Sequence, residues 1–99
     1  MEINISGHNT EVSPSVREHI EKKINKLSLH SSDITTVNVI LSEAENERHK
    51  VEAEVHMPGT KNLFADSIDD NLYKTVTELV DKLKRQVTKQ KEKMHSHRA

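Results

Sequence analysis

Cysteine and tryptophan are absent from this 99-residue chain, and it holds only two Gly, two Pro, one Phe and one Tyr. Without cysteine there is neither a disulfide framework nor a zinc-thiolate site, which suits a reducing cytoplasm. With Gly7 and Gly59 as the only glycines, a glycine-rich phosphate loop or a nucleophile elbow has no material, and no such motif occurs. The chain is therefore not expected to be an enzyme. Two aromatic residues cannot furnish the stacking platforms on which readers of single-stranded nucleic acid rely. Apolar residues make up 32% of the chain, and none of its runs approaches the roughly 20 needed to span a bilayer. The opening Met1-Glu2-Ile3-Asn4-Ile5 has no basic segment followed by an apolar one, so it is not a signal peptide. These limits leave one small soluble domain with a modest core, expected in the cytoplasm.

What is present is patterned. Ile3 and Ile5 alternate with polar neighbours up to Gly7, as in a short strand. Ser13-Pro14 is a helix start, a serine N-cap with proline where its missing N–H costs nothing. Val16, Ile20, Ile24 and Leu27 then recur at helical spacing, and Ser28 to Asp33 is a polar linker. Val37, Val39 and Leu41 alternate, with Ile34 and Ile40 assigned to the other face. A charged turn, Glu43 to Glu47, follows. Val51, Ala53, Val55 and Met57 alternate against Glu52, Glu54 and His56, a half-buried strand. Pro58-Gly59 turns the chain into a fourth strand from Leu63 to Ile68. Asp69 or Asp70 is expected to cap a last helix whose apolar positions Leu72, Val76, Leu79, Val80, Leu83 and Val87 hold the helical period toward Met94. The expected architecture is α+β, β-α-β-β-β-α, a four-stranded sheet with two helices on one face. A single domain spans 1–94, and 95–99 forms a short flexible tail.

The net charge of −1 hides an asymmetry. Residues 70–99 carry eight Lys or Arg against four Asp or Glu, a local +4 that leaves −5 on residues 1–69. On a helical wheel, Lys82, Arg85, Lys89 and Lys93 fall within a sector of roughly 80°. Lys84 and Lys91 sit on the other flank of the apolar stripe. In the first helix Lys22, Lys23 and Lys26 lie on one side of the apolar face, and Glu18 and Glu21 on the other. If the two helices pack side by side, their basic rows line a common ridge or groove that matches a phosphate backbone. Recognition would then run through shape and phosphates rather than base edges.

Each feature also has a plainer reading. A basic helical stripe is often only a solvated face, and basic helix ends also complement the helix dipole. The seven histidines are scattered, with no i, i+4 pair on a helix, and do not suggest a metal site. Tyr73 falls near the apolar stripe and is assigned to packing rather than to base stacking. Glu43 to Glu47, Glu52 and Glu54 read as exposed strand and turn charges, with a secondary reading that they keep RNA off that face.

The segments Ile3-Asn4-Ile5-Ser6-Gly7-His8-Asn9, Arg17-Glu18 through Lys23, Lys26-Leu27 and Asn71-Leu72-Tyr73 resemble the short ribosome hibernation promoting factors, the group that also contains protein Y. The strongest stretch is Asp81 through Lys93. The resemblance covers nearly the whole chain, although its motifs are short and specific only in combination. It implies a fold similar to double-stranded-RNA-binding domains, lodged in the small ribosomal subunit over the messenger channel and the A and P sites. It further implies inactive ribosome dimers in stationary phase, formed with a second dimerisation factor, by a protein that is monomeric when free. Contacts with ribosomal RNA would come from Lys23, Lys26, Lys82, Arg85, Lys89, Lys91 and Lys93, where this chain matches the family's basic positions. Lys22 is added from the wheel alone. The chain stops soon after its basic helix, like the short members. It departs from the family in having Leu29 and His30 where aromatics often follow the first helix. No cofactor, metal or membrane partner is implied. Two other readings stay open on the residues alone. One is a free-standing double-stranded-RNA-binding module; the other is a protein-protein adaptor using the basic helix.

Overall fold

Ser13 starts the first helix as the Ser-Pro order predicts. Its Oγ accepts the Val16 N–H at 3.3 Å, and Pro14 opens the helix. The computed structural model describes residues 1–96. In chain order it holds β1 (Glu2–His8), α1 (Pro14–Asn25), a 3-10 turn (Lys26–Leu29), β2 (Thr36–Glu43), β3 (His49–His56), β4 (Leu63–Asp69) and α2 (Leu72–Ser96). The expected β-α-β-β-β-α order is the observed one. Residues 97–99 of the expected 95–99 tail lie outside the described residues.

The sheet order is β1-β2-β3-β4. β1 pairs parallel with β2, and the two later pairings are antiparallel. A parallel pair needs a long crossover, and α1 supplies it. The two antiparallel connections are tight turns. Between β2 and β3, Asn46 and Glu47 take φ of 62° and 58°, the double-positive pattern of a type I′ hairpin. Between β3 and β4, Pro58 and Gly59 occupy the central positions of a type II turn. Gly59 has φ 79°, and the Thr60 N–H donates to the Met57 carbonyl at 3.3 Å. Gly7 is required for another reason: a Cβ there would stand 2.1 Å from the Thr10 carbonyl oxygen.

One face of the sheet is dry. Ile5, Val37, Val39, Leu41, Val51, Ala53 and Val55 point to it, and Ile20, Ile24, Leu27, Val76, Leu79, Leu83 and Val87 close over it from the helices. Each such fully buried aliphatic side chain contributes about 1.5–3 kcal/mol by leaving water. α2 lies over β3 and β4, whereas α1 lies beside α2 and reaches β1. The opposite face stays open, as strict alternation requires. Ile34 does not join it. It precedes β2 and is buried with the core, because the strand alternation to which it was assigned only begins at Thr36.

The start of α2 also differs from expectation. Asn71 is the capping residue, its Oδ1 accepting the Lys74 N–H at 3.2 Å. Asp69 ends β4, and its carboxylate instead accepts the Asn71 N–H at 3.0 Å and pairs with Lys74 at 3.6 Å. The Asn71 hydrogen bond and the Lys74 charge hold its carboxyl below the usual carboxylate range.

Candidate nucleic-acid interface

The cationic side chains rise from two helices that are in contact with each other. Lys22 and Lys23 occupy the last turn of α1, where they complement the negative end of the helix dipole. Lys26 follows in the 3-10 turn. Lys82, Arg85, Lys89, Lys91 and Lys93 are exposed along α2. Among the described residues, none of Lys22, Lys23, Lys26, Lys82, Arg85, Lys89 and Lys91 is in an ion pair; the two ion pairs are Lys50–Glu52 and Lys74–Asp69. Asp81 lines the same surface as these cations, and Glu92 stands beside Arg85 and Lys89.

The eight expected contact residues do not form one row. A groove of about 290 Å³ runs between α1 with its 3-10 turn and α2, and it brings Lys23 and Lys26 together with Lys84 over a floor of Leu27 and Val80. Lys91 leans to the same side, its Nζ donating to the His30 carbonyl at 3.5 Å. Arg85 and Lys89 stand on the outer crest of α2, beside Thr88 and Glu92. The Arg85 Nε donates within its own helix to the Asp81 carbonyl at 3.4 Å.

Lys82 is turned to the far flank, where its Nζ donates to the Asp66 carbonyl of β4 at 2.7 Å. One turn later, Gln86 Nε2 donates to the Phe64 carbonyl at 2.8 Å. Phe64 and Asp66 alternate along the outermost strand, so these two bonds occupy carbonyls on its free edge. An edge covered in this way cannot template another strand. Lys82 thus has a structural bond that the wheel does not reveal.

Two residues of this region were not among those expected. Lys84 lies in the groove itself, and its signal was its place on the same flank of the wheel as Lys91. His19, on the α2 side of α1, meets Tyr73 edge to face with ring centroids 4.6 Å apart. Tyr73 is therefore a bridge between the helices, half-exposed rather than in the core. The His19 Nε2 is buried without a hydrogen-bond partner. Burial, with Lys23 and Lys22 close by, holds the His19 pKa below the ordinary histidine value, although the Tyr73 backbone carbonyl opposes this. The shift favours the neutral imidazole beside this groove. Nothing in its spacing announced this, because the contact joins residues 54 positions apart (73 less 19).

Among the described residues, no group of three or more His, Asp or Glu is placed to hold a metal ion, and no helix is long and apolar enough to cross a membrane. The arrangement presents exposed cations along two adjoining helices, the kind of surface that phosphate groups can approach.

Comparison with known proteins gives consistent results. Residues 3–95 match the family described as Sigma 54 modulation protein / S30EA ribosomal protein. The chain is 39% identical over 93 residues to the ribosome hibernation promoting factor of Azotobacter vinelandii, covering 94% of this chain and 85% of the relative. Among solved structures, it is similar to a ribosomal subunit interface protein from Coxiella burnetii, with a TM-score of 0.86 and 32% identity over 93% of this chain and 99% of that one. It is also similar to the N-terminal domain of Protein Y from Thermus thermophilus, with a TM-score of 0.79 and 30% identity over 90% of this chain and 98% of that one.

Proposed function

The chain belongs to the Sigma 54 modulation protein / S30EA ribosomal protein family, and from that premise we propose that it is a ribosome hibernation factor that binds the small subunit through ribosomal RNA. Its relatives carry names for ribosome hibernation and the ribosomal subunit interface, and the family acts by binding rather than by catalysis. In this reading the protein works in the cytoplasm as a stoichiometric plug. It fills the decoding region, excluding messenger and tRNA from the A and P sites by volume, and favours inactive ribosome dimers together with a second dimerisation factor.

The observation that carries this reading is the set of exposed cations on α1, its 3-10 turn and α2. Lys23, Lys26 and Lys91 serve the groove, Arg85 and Lys89 the crest, and Lys22, Lys82 and Lys93 extend the field. Phosphate contacts of this kind position a protein without reading sequence, as a plug on one fixed RNA surface requires.

The test is sedimentation of ribosomes through sucrose gradients with the purified protein. The protein is expected to travel with small subunits and to enlarge a ribosome-dimer peak when the second factor is supplied. If it stays at the top of the gradient at low salt, the ribosome reading is wrong. Binding at a site that leaves messenger and tRNA occupancy unchanged would remove the plug mechanism while keeping the partner.

A further inference from the structure

The open face of the sheet is unlike the helical face in every respect. Six large apolar residues are exposed among the described residues, and three of them, Phe64 (63%), Ile40 (41%) and Ile68 (41%), share this one face. Around them stand Glu2, Glu52, Glu54 and Asp66, with Lys50 the single cation of the strand positions on that side. The strand register sets acids and apolar groups in rows across the sheet. Ile40 is opposite Glu52, which is opposite Asp66, while Asn38 is opposite Glu54, which is opposite Phe64. These side chains wall a shallow concavity of about 600 Å³.

Two features of this surface work against the isolated fold. Glu52 and Asp66 are like charges directly across a strand pair, which weakens a sheet. Lys50 offsets Glu52 at 3.5 Å, but among the described residues neither Glu54 nor Asp66 has an ion-pair partner. Beside them an aromatic ring is left largely in water. An exposed apolar cluster set among mostly acidic side chains is the pattern of a docking surface.

We infer that this sheet face is a docking surface for a cationic polypeptide segment that carries an apolar side chain. The Phe64–Ile40 concavity seats the apolar group, and Glu52, Glu54 and Asp66 take the flanking cations, relieving their mutual repulsion. The segment meets side chains rather than adding a strand, because Lys82 and Gln86 already occupy the carbonyls of Asp66 and Phe64 on the β4 edge. A nucleic acid is a poor occupant: the three carboxylates repel phosphates, and one ring offers little stacking. The surface lies on the opposite side of the sheet from α1 and α2, so it stays open when those helices hold a polyanion. This goes beyond the ribosome reading and does not depend on it.

The test is 15N-labelled full-length protein titrated with a peptide alternating arginine and leucine, followed by amide shifts and fluorescence anisotropy. Saturable shifts are expected at Ile40, Glu52, Glu54, Phe64 and Asp66. Phe64→Ser, which removes an exposed ring and leaves the Phe64 backbone carbonyl in place, is expected to weaken binding about tenfold, the usual effect of losing an aromatic anchor. Glu54→Lys should weaken it comparably. Replacing leucine by serine in the peptide should lose most of the affinity. The inference is overturned if the shifts fall on the helices, or if neither variant weakens binding. It is equally overturned if an oligonucleotide saturates the same face, or if the face is instead covered by a second copy of the chain, read as a concentration-dependent mass in sedimentation.

Discussion

Arg85 and Lys89 offer the cleanest test of whether α2 holds a phosphate backbone. Both stand on the exposed crest, and the one bond Arg85 makes is to its own helix at 3.4 Å. Changing both to Gln should therefore move stability by no more than about 0.5 kcal/mol, as for surface positions generally. Lys82 is a poorer choice, because its 2.7 Å bond to the Asp66 carbonyl couples binding to the β4 edge. If each of the eight cations expected from the sequence neutralises one phosphate, the slope of log affinity against log salt is about −6 to −7, from roughly 0.7–0.9 per contact. Losing two contacts brings the slope to about −4 to −5. Across a fourfold rise in salt the wild-type protein then loses affinity on the order of 10⁴-fold, and the variant about tenfold less than that. At fixed moderate salt the variant binds ribosomes more weakly by roughly 10–100-fold, if each contact contributes about 1 kcal/mol. The assay is co-sedimentation with small subunits over a salt series, with circular dichroism as the control for folding. An unchanged slope in a folded variant would refute a phosphate-binding role for the crest.

Leu83 is fully buried in α2 beneath the sheet, so Leu83→Ala should cost about 2–5 kcal/mol, read by urea denaturation; a loss below 1 kcal/mol would mean the core is not packed as described. Glu47 holds a left-handed conformation at φ 58° in the β2–β3 turn, so Glu47→Gly should stabilise by about 0.5–1 kcal/mol, the relief of the Cβ clash less the entropy of glycine, and a fall in Tm would contradict this. Because the His19 pKa is lowered in the fold, the unfolded chain binds the proton more tightly. His19 therefore makes no proton-linked contribution to stability well above its unfolded value of about 6.5, and it becomes destabilising as pH drops through that value toward the folded one. His19→Gln should flatten the difference in stability between about pH 7.5 and about pH 5.5, measured by thermal melts, and an unaltered slope would show that His19 does not carry it.

Much of this architecture is local in origin and was legible as such. The Ser13-Pro14 start, the strand alternation of Val51, Ala53 and Val55, and the apolar stripe from Val76 to Val87 each follow from how one residue type behaves at one spacing. The errors also have a local cause. Asp69 and Asp70 looked like caps because their carboxylates suit that role, yet Asn71 takes it because Asp69 still belongs to β4 and spends its carboxylate on the turn. Tyr73 was assigned to packing by its angle on the wheel, but the wheel could not say that its neighbour at that angle is His19 rather than the sheet.

The sequence by itself determined which residues form helices and strands, which face of each is dry, and that the two helices carry the cations. These depend on periodicity and charge, which travel with the chain wherever it goes. Only the tertiary structure decided which flank of α2 meets α1 and which meets β4. A wheel sets angles about one axis and does not say what stands at each angle. That is why Lys84 joins Lys23 and Lys26 in the groove while Lys82, two residues earlier, closes a sheet edge. The same long-range pairing lined up Ile40, Glu52 and Asp66 from three strands into one row on the open face.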